Sequence, residues 1–362
     1  MSTTTTSPRR VVNAYASGRL RRGTPWSILS ACLGVSAGFF LFLWLSEDAV
    51  GDYNIVGAVF AGVLLYTVAI YIASRLVEGA RRAMDRLVTA LVSLAFTIAL
   101  LPLISLLFTV ITRGSNRFDL QFFTWSMRNV VGEGGGGLHA IQGTLLITGA
   151  ATLISVPIGL LTAIYLVEYG RGPLARAITF FVDVMTGIPS IVAGLFAYAL
   201  FAMILGPGTR MGIVGAIALS VLMIPVVVRS SEEMLRLVPN ELREASLALG
   251  VPKWLTVVKV VLPTSIAGIT TGIMLAISRV IGETAPLLVT AGFTANMNAD
   301  LFDGRMQSLP VFVYNSYVSQ GTDPTSSLDR AWAGALTLIL IVMLLNLVAR
   351  LVAKIFAPKT GR

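Results

Sequence analysis

Two arginine–glutamate pairs stand in or beside long apolar runs: Arg279 with Glu283 inside the run 264–292, and Arg229 with Glu232 at the end of the run 211–229. Charge at membrane depth is costly and by default marks a substrate or ion path. A separation of four residues lets Arg279 and Glu283 pair on one helical face. Two roles are open to that pair. It can be a self-neutralising contact that fixes packing. Alternatively, Arg279 faces a path and offers its planar fork to an oxyanion, while Glu283 holds it and keeps the empty site neutral. Arg229, with Glu232 at i+3 and Glu233 beside it, is either a snorkelling residue at a helix end or a second member of that path. Other chemistries have little to work with. There is one cysteine, Cys32, and one histidine, His139, so a Cys/His metal site or a Ser-His-Asp triad has no complete residue set. The pattern GxxxxGK[ST] does not occur, so the chain has no phosphate-loop ATPase site of its own. We expect no catalytic residue, no metal and no cofactor.

The elements that must position these charges are membrane helices. Of 362 residues, 55% are apolar and only 12% charged, with a mean hydropathy of +0.81, where soluble domains carry about 25% charged residues. The apolar runs are long and lack the period-2 alternation of membrane barrels, which predicts an all-α polytopic protein. Eight spans are expected, at 27–45, 54–73, 87–112, 141–166, 178–205, 211–229, 264–292 and 331–356. The formal charge of +9 comes largely from arginines flanking these runs, which reads as loop asymmetry and not as nucleic-acid binding. Basic loops and tails alternate with acidic ones (Glu47, Asp48 and Asp52; Asp300, Asp303, Asp323 and Asp329), placing both termini in the cytoplasm. Residues 1–25 read as a disordered basic cytoplasmic tail.

The loop at 113–140 departs from this rule with Arg113, Arg117 and Arg128 facing outside, where they would serve an external partner or an anionic substrate. Within it, GEGGGG (132–137) reads as a flexible linker rather than a phosphate cradle, and His139 as an interfacial histidine. MQSLPVFVYNSY (306–317) reads as an external amphipathic piece that caps a pore or touches a binding protein. Pro157, Pro189, Pro225 and Pro286 interrupt spans, and discontinuous helices are frequent in transporters.

One charged insert, ELREASLALGVPKWLTVVKVVLP (241–263), lies on the cytoplasmic side between spans six and seven. Pro239 suits a first helical position, and Leu242, Ala245 and Leu249 then share a face. Gly250 suits a left-handed stop, Pro252 a second start, and Trp254, Val257, Val258 and Val261 an apolar side that Pro263 closes. Local physics therefore predicts two short helices joined by a glycine turn. This hairpin either rests on the membrane surface or engages a partner.

The spacing carries a resemblance. Glu244-Ala245-Ser246, Gly250 six residues after Glu244, and Val260-x-Leu262-Pro263 resemble the EAA loop of permeases in ATP-binding-cassette (ABC) importers, with Ser246 and Val260 as the small departures. GTLLITGAATLISVPIGLLTAIYLVEYG (143–170), SRVIGETAPLLVTAG (278–292) and MQSLPVFVYNSY resemble the PstA family of phosphate-specific permease subunits over about 87–356. The sister PstC family and sulfate or molybdate permeases are the alternatives.

The resemblance implies a six-helix MetI-like permease core over 81–362, preceded by two additional transmembrane helices over 26–80 whose role is open. It implies a coupling loop over 239–262, with Glu244, Ala245, Ser246, Gly250, Leu262 and Pro263 at the ATPase contact. It implies that Arg229 and Arg279 are the charged pair on which transport depends; Glu283 and Glu232 stand beside them on helical spacing alone. It further implies a multi-pass protein of a bacterial cell membrane that assembles with cytoplasmic ATPase subunits, a second homologous permease and an extracytoplasmic phosphate-binding protein. An ATP-independent anion transporter or channel would explain the arginines but not the loop spacing.

Overall fold

The computed structural model describes residues 20, 21, 23–46 and 54–356. Most of the basic tail and the acidic segment containing Glu47, Asp48 and Asp52 lie outside the described residues. Regular structure among the described residues is helical: α1 (Thr24–Ser46), α2 (Ile55–Val77), α3 (Ala80–Gly114), α4 (Leu120–Thr124), α5 (Leu138–Ile164), α6 (Pro173–Thr186), α7 (Ser190–Leu205), α8 (Gly212–Arg236), α9 (Asn240–Ala248), α10 (Lys253–Thr256), α11 (Leu262–Val280), α12 (Ala285–Thr290), α13 (Leu309–Val318) and α14 (Pro324–Phe356). Seven helices are long and apolar enough to cross a membrane, or eight if the bent pair α6–α7 forms one span. The chain divides into two compact units, 1–107 and 108–362.

In the first unit α1 and α2 form a close hairpin. Gly62 lies against the Leu33 backbone, and the buried Ser36 hydroxyl donates to the Ala58 carbonyl at 2.6 Å. Just past α2 the buried Glu78 carboxylate accepts from Arg86 at 2.6 and 3.0 Å, from the Ser74 hydroxyl at 2.8 Å and from the Leu20 amide at 2.9 Å. These donors, Arg86 foremost, hold its pKa down to about 2 against the opposing effect of burial.

The second unit is built around α8, whose residues 212–228 are apolar all round the helix apart from Ser220. Such a helix belongs in a core. Ala216, Leu219, Met223 and Val227 of α8 pack with Ile147 and Ala151 of α5, Ala276 and Val280 of α11, and Leu287 of α12. Small residues set the close crossings, as is usual between membrane helices. Gly159 of α5 faces Val227, and Gly272 of α11 faces Ser230. A Cβ on Gly143 would fall 1.9 Å from the Gln307 carbonyl oxygen, so only glycine fits there. Gly143→Val is expected to destabilise this unit by about 1–3 kcal/mol, read as a lowered Tm of the purified protein.

The helices differ from the expected spans where prolines and charges act locally. The run 178–205 is not one span: α6 and α7 meet at 109°. Ile188 precedes Pro189, and a residue before proline avoids the helical region. The run 211–229 extends to Arg236, so Arg229 sits almost two turns inside α8 and not at its end. The run 264–292 breaks after Val280, and Pro286 falls in the first turn of α12, where its missing N–H costs nothing. Pro263 does not end a helix. The segment Lys253–Val280 runs on through a π turn at Val257–Val261, in which the Leu262 amide reaches back to the Val257 carbonyl. That wider turn relieves the clash a proline ring makes with the turn before it.

The structure also bears on the expectations for the 113–140 and 306–317 regions. GEGGGG is a braced loop and not a free linker: Arg330 donates to the carbonyls of Gly132 (2.7 Å) and Gly134 (3.1 Å), and Arg117 to that of Gly135 (2.8 Å). Arg117 also pairs with Asp119, and Arg113 lies over the Trp332 ring at 5.7 Å, so both arginines have partners within the chain. His139 is buried edge-on to Phe312. The segment 306–317 is largely core: Met306, Leu309, Val311 and Phe312 are buried, and the Leu309 amide donates to the Thr144 hydroxyl at 2.7 Å.

Candidate functional site: a charged ladder and a clamped hairpin

Two features carry the predicted site residues. The first is a ladder of charge on α8. Arg229 (side chain 35% exposed) pairs with Asp183 of α6 and donates to Glu232 at 3.0 Å. Glu232, buried, also accepts from Arg236 at 2.6 Å. The i, i+3 and i+4 spacings put these three on one face, and alternating sign makes burial of the carboxylate tolerable. Asp183 and Arg236 were not singled out from the sequence. Asp183 lies in a run read as uninterrupted span, where a lone carboxylate was itself the signal.

Arg279 stands apart from that ladder. Gly272 of α11 faces Ser230, the neighbour of Arg229. Arg279 is seven residues further along α11, about 10 Å along the axis, away from the α9 end. It is exposed in the last turn of α11, and it forms no ion pair among the described residues. The expected pairing with Glu283 on one helical face does not form. The helix ends at Val280, and Glu283 lies in the non-helical break before Pro286. The two arginines therefore differ in state: Arg229 is paired with two carboxylates, and Arg279 has no ion pair among the described residues.

The second feature is the hairpin α9–α10. Pro239 precedes α9, Gly250 takes φ +77° beyond its end, and Pro252 precedes α10. That positive φ is the left-handed geometry that glycine adopts without strain. Ser246, the departure from a second alanine, is buried and exchanges a hydrogen bond of 2.9 Å with Thr256, which ties the two short helices together. Glu244, Ala245 and Pro263 are exposed, and Leu262 is half-buried in a cluster with Ala163, Leu235, Val238 and Val261. Leu242, Leu247, Leu249, Trp254 and Val258 present an exposed apolar surface.

Arg243 clamps the hairpin to the helices that reach it. Its guanidinium, side chain 16% exposed, donates to Glu168 at 2.9 Å, to the Leu235 carbonyl at 2.9 Å and to the Val238 carbonyl at 2.5 Å. Glu168 is 6% exposed and belongs to a π turn, Tyr165–Tyr169, that ends α5. One side chain of α9 thus engages both the end of α5 and the end of α8, where it satisfies the Val238 carbonyl and adds a second donor to that of Leu235. Sequence reading missed Arg243 and Glu168, which lie 75 positions apart.

The comparisons agree with this architecture. The family model described as "Binding-protein-dependent transport system inner membrane component" matches residues 155–362. The "Phosphate transport system permease protein PstA 1" of Mycobacterium tuberculosis (strain CDC 1551 / Oshkosh) is 48% identical over 276 residues, covering 75% of this chain and 89% of that protein. The "Phosphate transport system permease protein PstA" of Pasteurella multocida (strain Pm70) is 41% identical over 283 residues, covering 78% of this chain and 97% of that protein. Among solved structures, one of the inward-facing MetNI methionine ABC transporter aligns with a TM-score of 0.51 at 20% identity, covering 61% of this chain and 96% of that one, a likeness of fold. With its α8 core, broken α6–α7 pair and clamped hairpin, the chain belongs to the family of binding-protein-dependent transport system inner membrane components.

Proposed function

We propose that the chain is the pore-forming permease subunit of an ATP-driven importer and that its cargo is inorganic phosphate. The observation that carries this is the 48% identity, over 89% of its length, to a protein named as a phosphate transport permease. The α9–α10 hairpin supports the ATP-driven part, since its exposed apolar face offers a separate ATPase a surface to push. The chain has no phosphate-loop motif, so hydrolysis belongs to that partner. On this reading the α9 end is cytoplasmic, as are both termini, and a bacterial cell membrane holds the complex. A second homologous permease completes the pore, and an extracytoplasmic binding protein delivers phosphate to the opposite side.

Arg279 and Arg229 would then form two stations of one path. A guanidinium offers two parallel donors to a phosphate oxyanion. Arg279, without a carboxylate, receives the anion first. At Arg229 the anion competes with Asp183 and Glu232, which weakens retention and favours release toward the α9 end. Glu283, in the break beside Arg279, limits how tightly the first station holds.

The test is uptake of radiolabelled phosphate by cells lacking this chain and carrying it on a plasmid. Restored uptake that arsenate inhibits and sulfate does not is the expected result. Competition by sulfate, or no restoration, removes the phosphate assignment. A second expectation concerns the hairpin. Gly250→Pro imposes φ near −65° on a residue that sits at +77°. The hairpin turn cannot form, and uptake is expected to fall to background while the subunit remains in the membrane. Full uptake by this variant would remove the hairpin from the transport cycle.

A further inference from the structure

A pocket of about 270 Å³ opens beneath the hairpin, where four segments converge. The π turn after α5 contributes Glu168, with Arg171 just beyond it; the end of α8 contributes Arg236, α9 contributes Asn240 and Arg243, and the start of α10 contributes Lys253. Four cations and one carboxylate line it, and that carboxylate is already taken by Arg243. Arg236 is engaged by Glu232. Arg171 and Lys253 have no carboxylate partner among the described residues. The Lys253 ammonium instead donates to the Glu168 carbonyl and lies 5.0 Å from the centre of the Tyr169 ring. Like charges gathered around an open cavity repel one another, and an anion among them removes that cost.

We propose that this pocket binds a phosphate-class anion, either free phosphate or the headgroup phosphate of an anionic phospholipid, through Arg171 and Lys253. The site adjoins the Arg229 ladder at Arg236, which shares Glu232 with Arg229, but its proposed ligands Arg171 and Lys253 lie outside that path; its exposure to the cytoplasm rests on the orientation proposed above. A bound anion bridges α10 to the end of α5. It therefore adds a reversible link between the hairpin and a pore helix, alongside the permanent one made by Arg243. The pocket is open and partly screened, so binding is weak, with a Kd of about 1 mM.

The chain has four lysines, which makes a footprint direct. The assembled complex is placed in nanodiscs of neutral lipid, where both faces are open and orientation does not matter. Lysines are methylated reductively, with and without inorganic phosphate at constant ionic strength, and quantified by mass spectrometry. Lys259, in the same continuous helix but outside the pocket, is the internal control. The expected result is roughly sixfold slower modification of Lys253 at about 5 mM phosphate, no change at Lys259, and no protection in Arg171→Gln. Arg171→Lys is expected to retain it.

In discs of phosphatidylglycerol without phosphate, protection of Lys253 that Arg171→Gln abolishes identifies the headgroup as the source. Equal reactivity of Lys253 in every arm overturns the proposal. So does equal protection of Lys259, protection that survives in Arg171→Gln, or a Lys253 that never reacts because a partner covers it. None of these results touches phosphate import, which the uptake measurement decides by itself.

Discussion

Arg279→Gln is expected to lower phosphate uptake at least about 100-fold while the complex still assembles. Each charge-assisted hydrogen bond contributes about 1.5–3 kcal/mol, and a bidentate contact has two, so a factor of 100 is the lower end. The variant should fold, because Arg279 is exposed in the last turn of α11 and supports no ion pair among the described residues. Arg229→Gln is expected to behave differently. Removing it leaves Asp183 without its cation and the buried Glu232 with Arg236 alone, so both uptake and the amount of assembled complex should fall. Uptake and yield of affinity-purified complex, measured side by side, separate the two. Wild-type uptake in Arg279→Gln would end the idea of a first station.

On the ATP-driven reading proposed above, Arg243→Ala is expected to uncouple the subunit from its ATPase partner. The substitution leaves Glu168 buried without its cation and the Val238 carbonyl near the α8 end without its donor. Removing one partner of a buried ion pair costs about 3–5 kcal/mol, enough to free the hairpin from α5. ATP hydrolysis stimulated by the binding protein should drop to its basal level in the reconstituted complex. Glu168→Gln should be milder, since a neutral amide still accepts from the guanidinium. The double variant Arg243→Met/Glu168→Met should recover part of the loss, because two apolar side chains avoid the stranded charge. A double variant as defective as Arg243→Ala would show that the ion pair itself, and not the stranded charge, matters.

The membrane helices were legible because each needs a long apolar run, and a run is a local property. Their breaks were harder. Hydropathy continues across Gly187-Ile188-Pro189, so the run 178–205 read as one span although α6 and α7 diverge there. Arg229 looked like a terminus because charge usually ends a span. With Asp183, Glu232 and Arg236 around it, the helix continues past it. The hairpin was readable almost residue by residue, since proline and glycine act through their own backbones at Pro239, Gly250 and Pro252. What holds the hairpin was not. Arg243 meets Glu168 across 75 positions, and a helix surface pattern does not encode such a meeting. The same holds for Arg330, whose contacts with Gly132 and Gly134 turn an apparent linker into a fixed loop.

The clamp on α9 has a thermodynamic consequence for assembly. A nine-residue helix is too short to persist alone in water, where about 12–15 residues are marginal. Here Arg243, the Ser246–Thr256 bond and the cluster around Val261 form the hairpin within the subunit itself. The entropy of ordering it is lost when the permease folds, and, on the reading proposed above, none of it is charged to the encounter with an ATPase partner. Docking is then close to rigid-body, avoiding about 0.5–1.5 kcal/mol for each side chain that would otherwise have to be immobilised. A small contact surface can hold through repeated strokes because the shape it presents exists before the partner arrives.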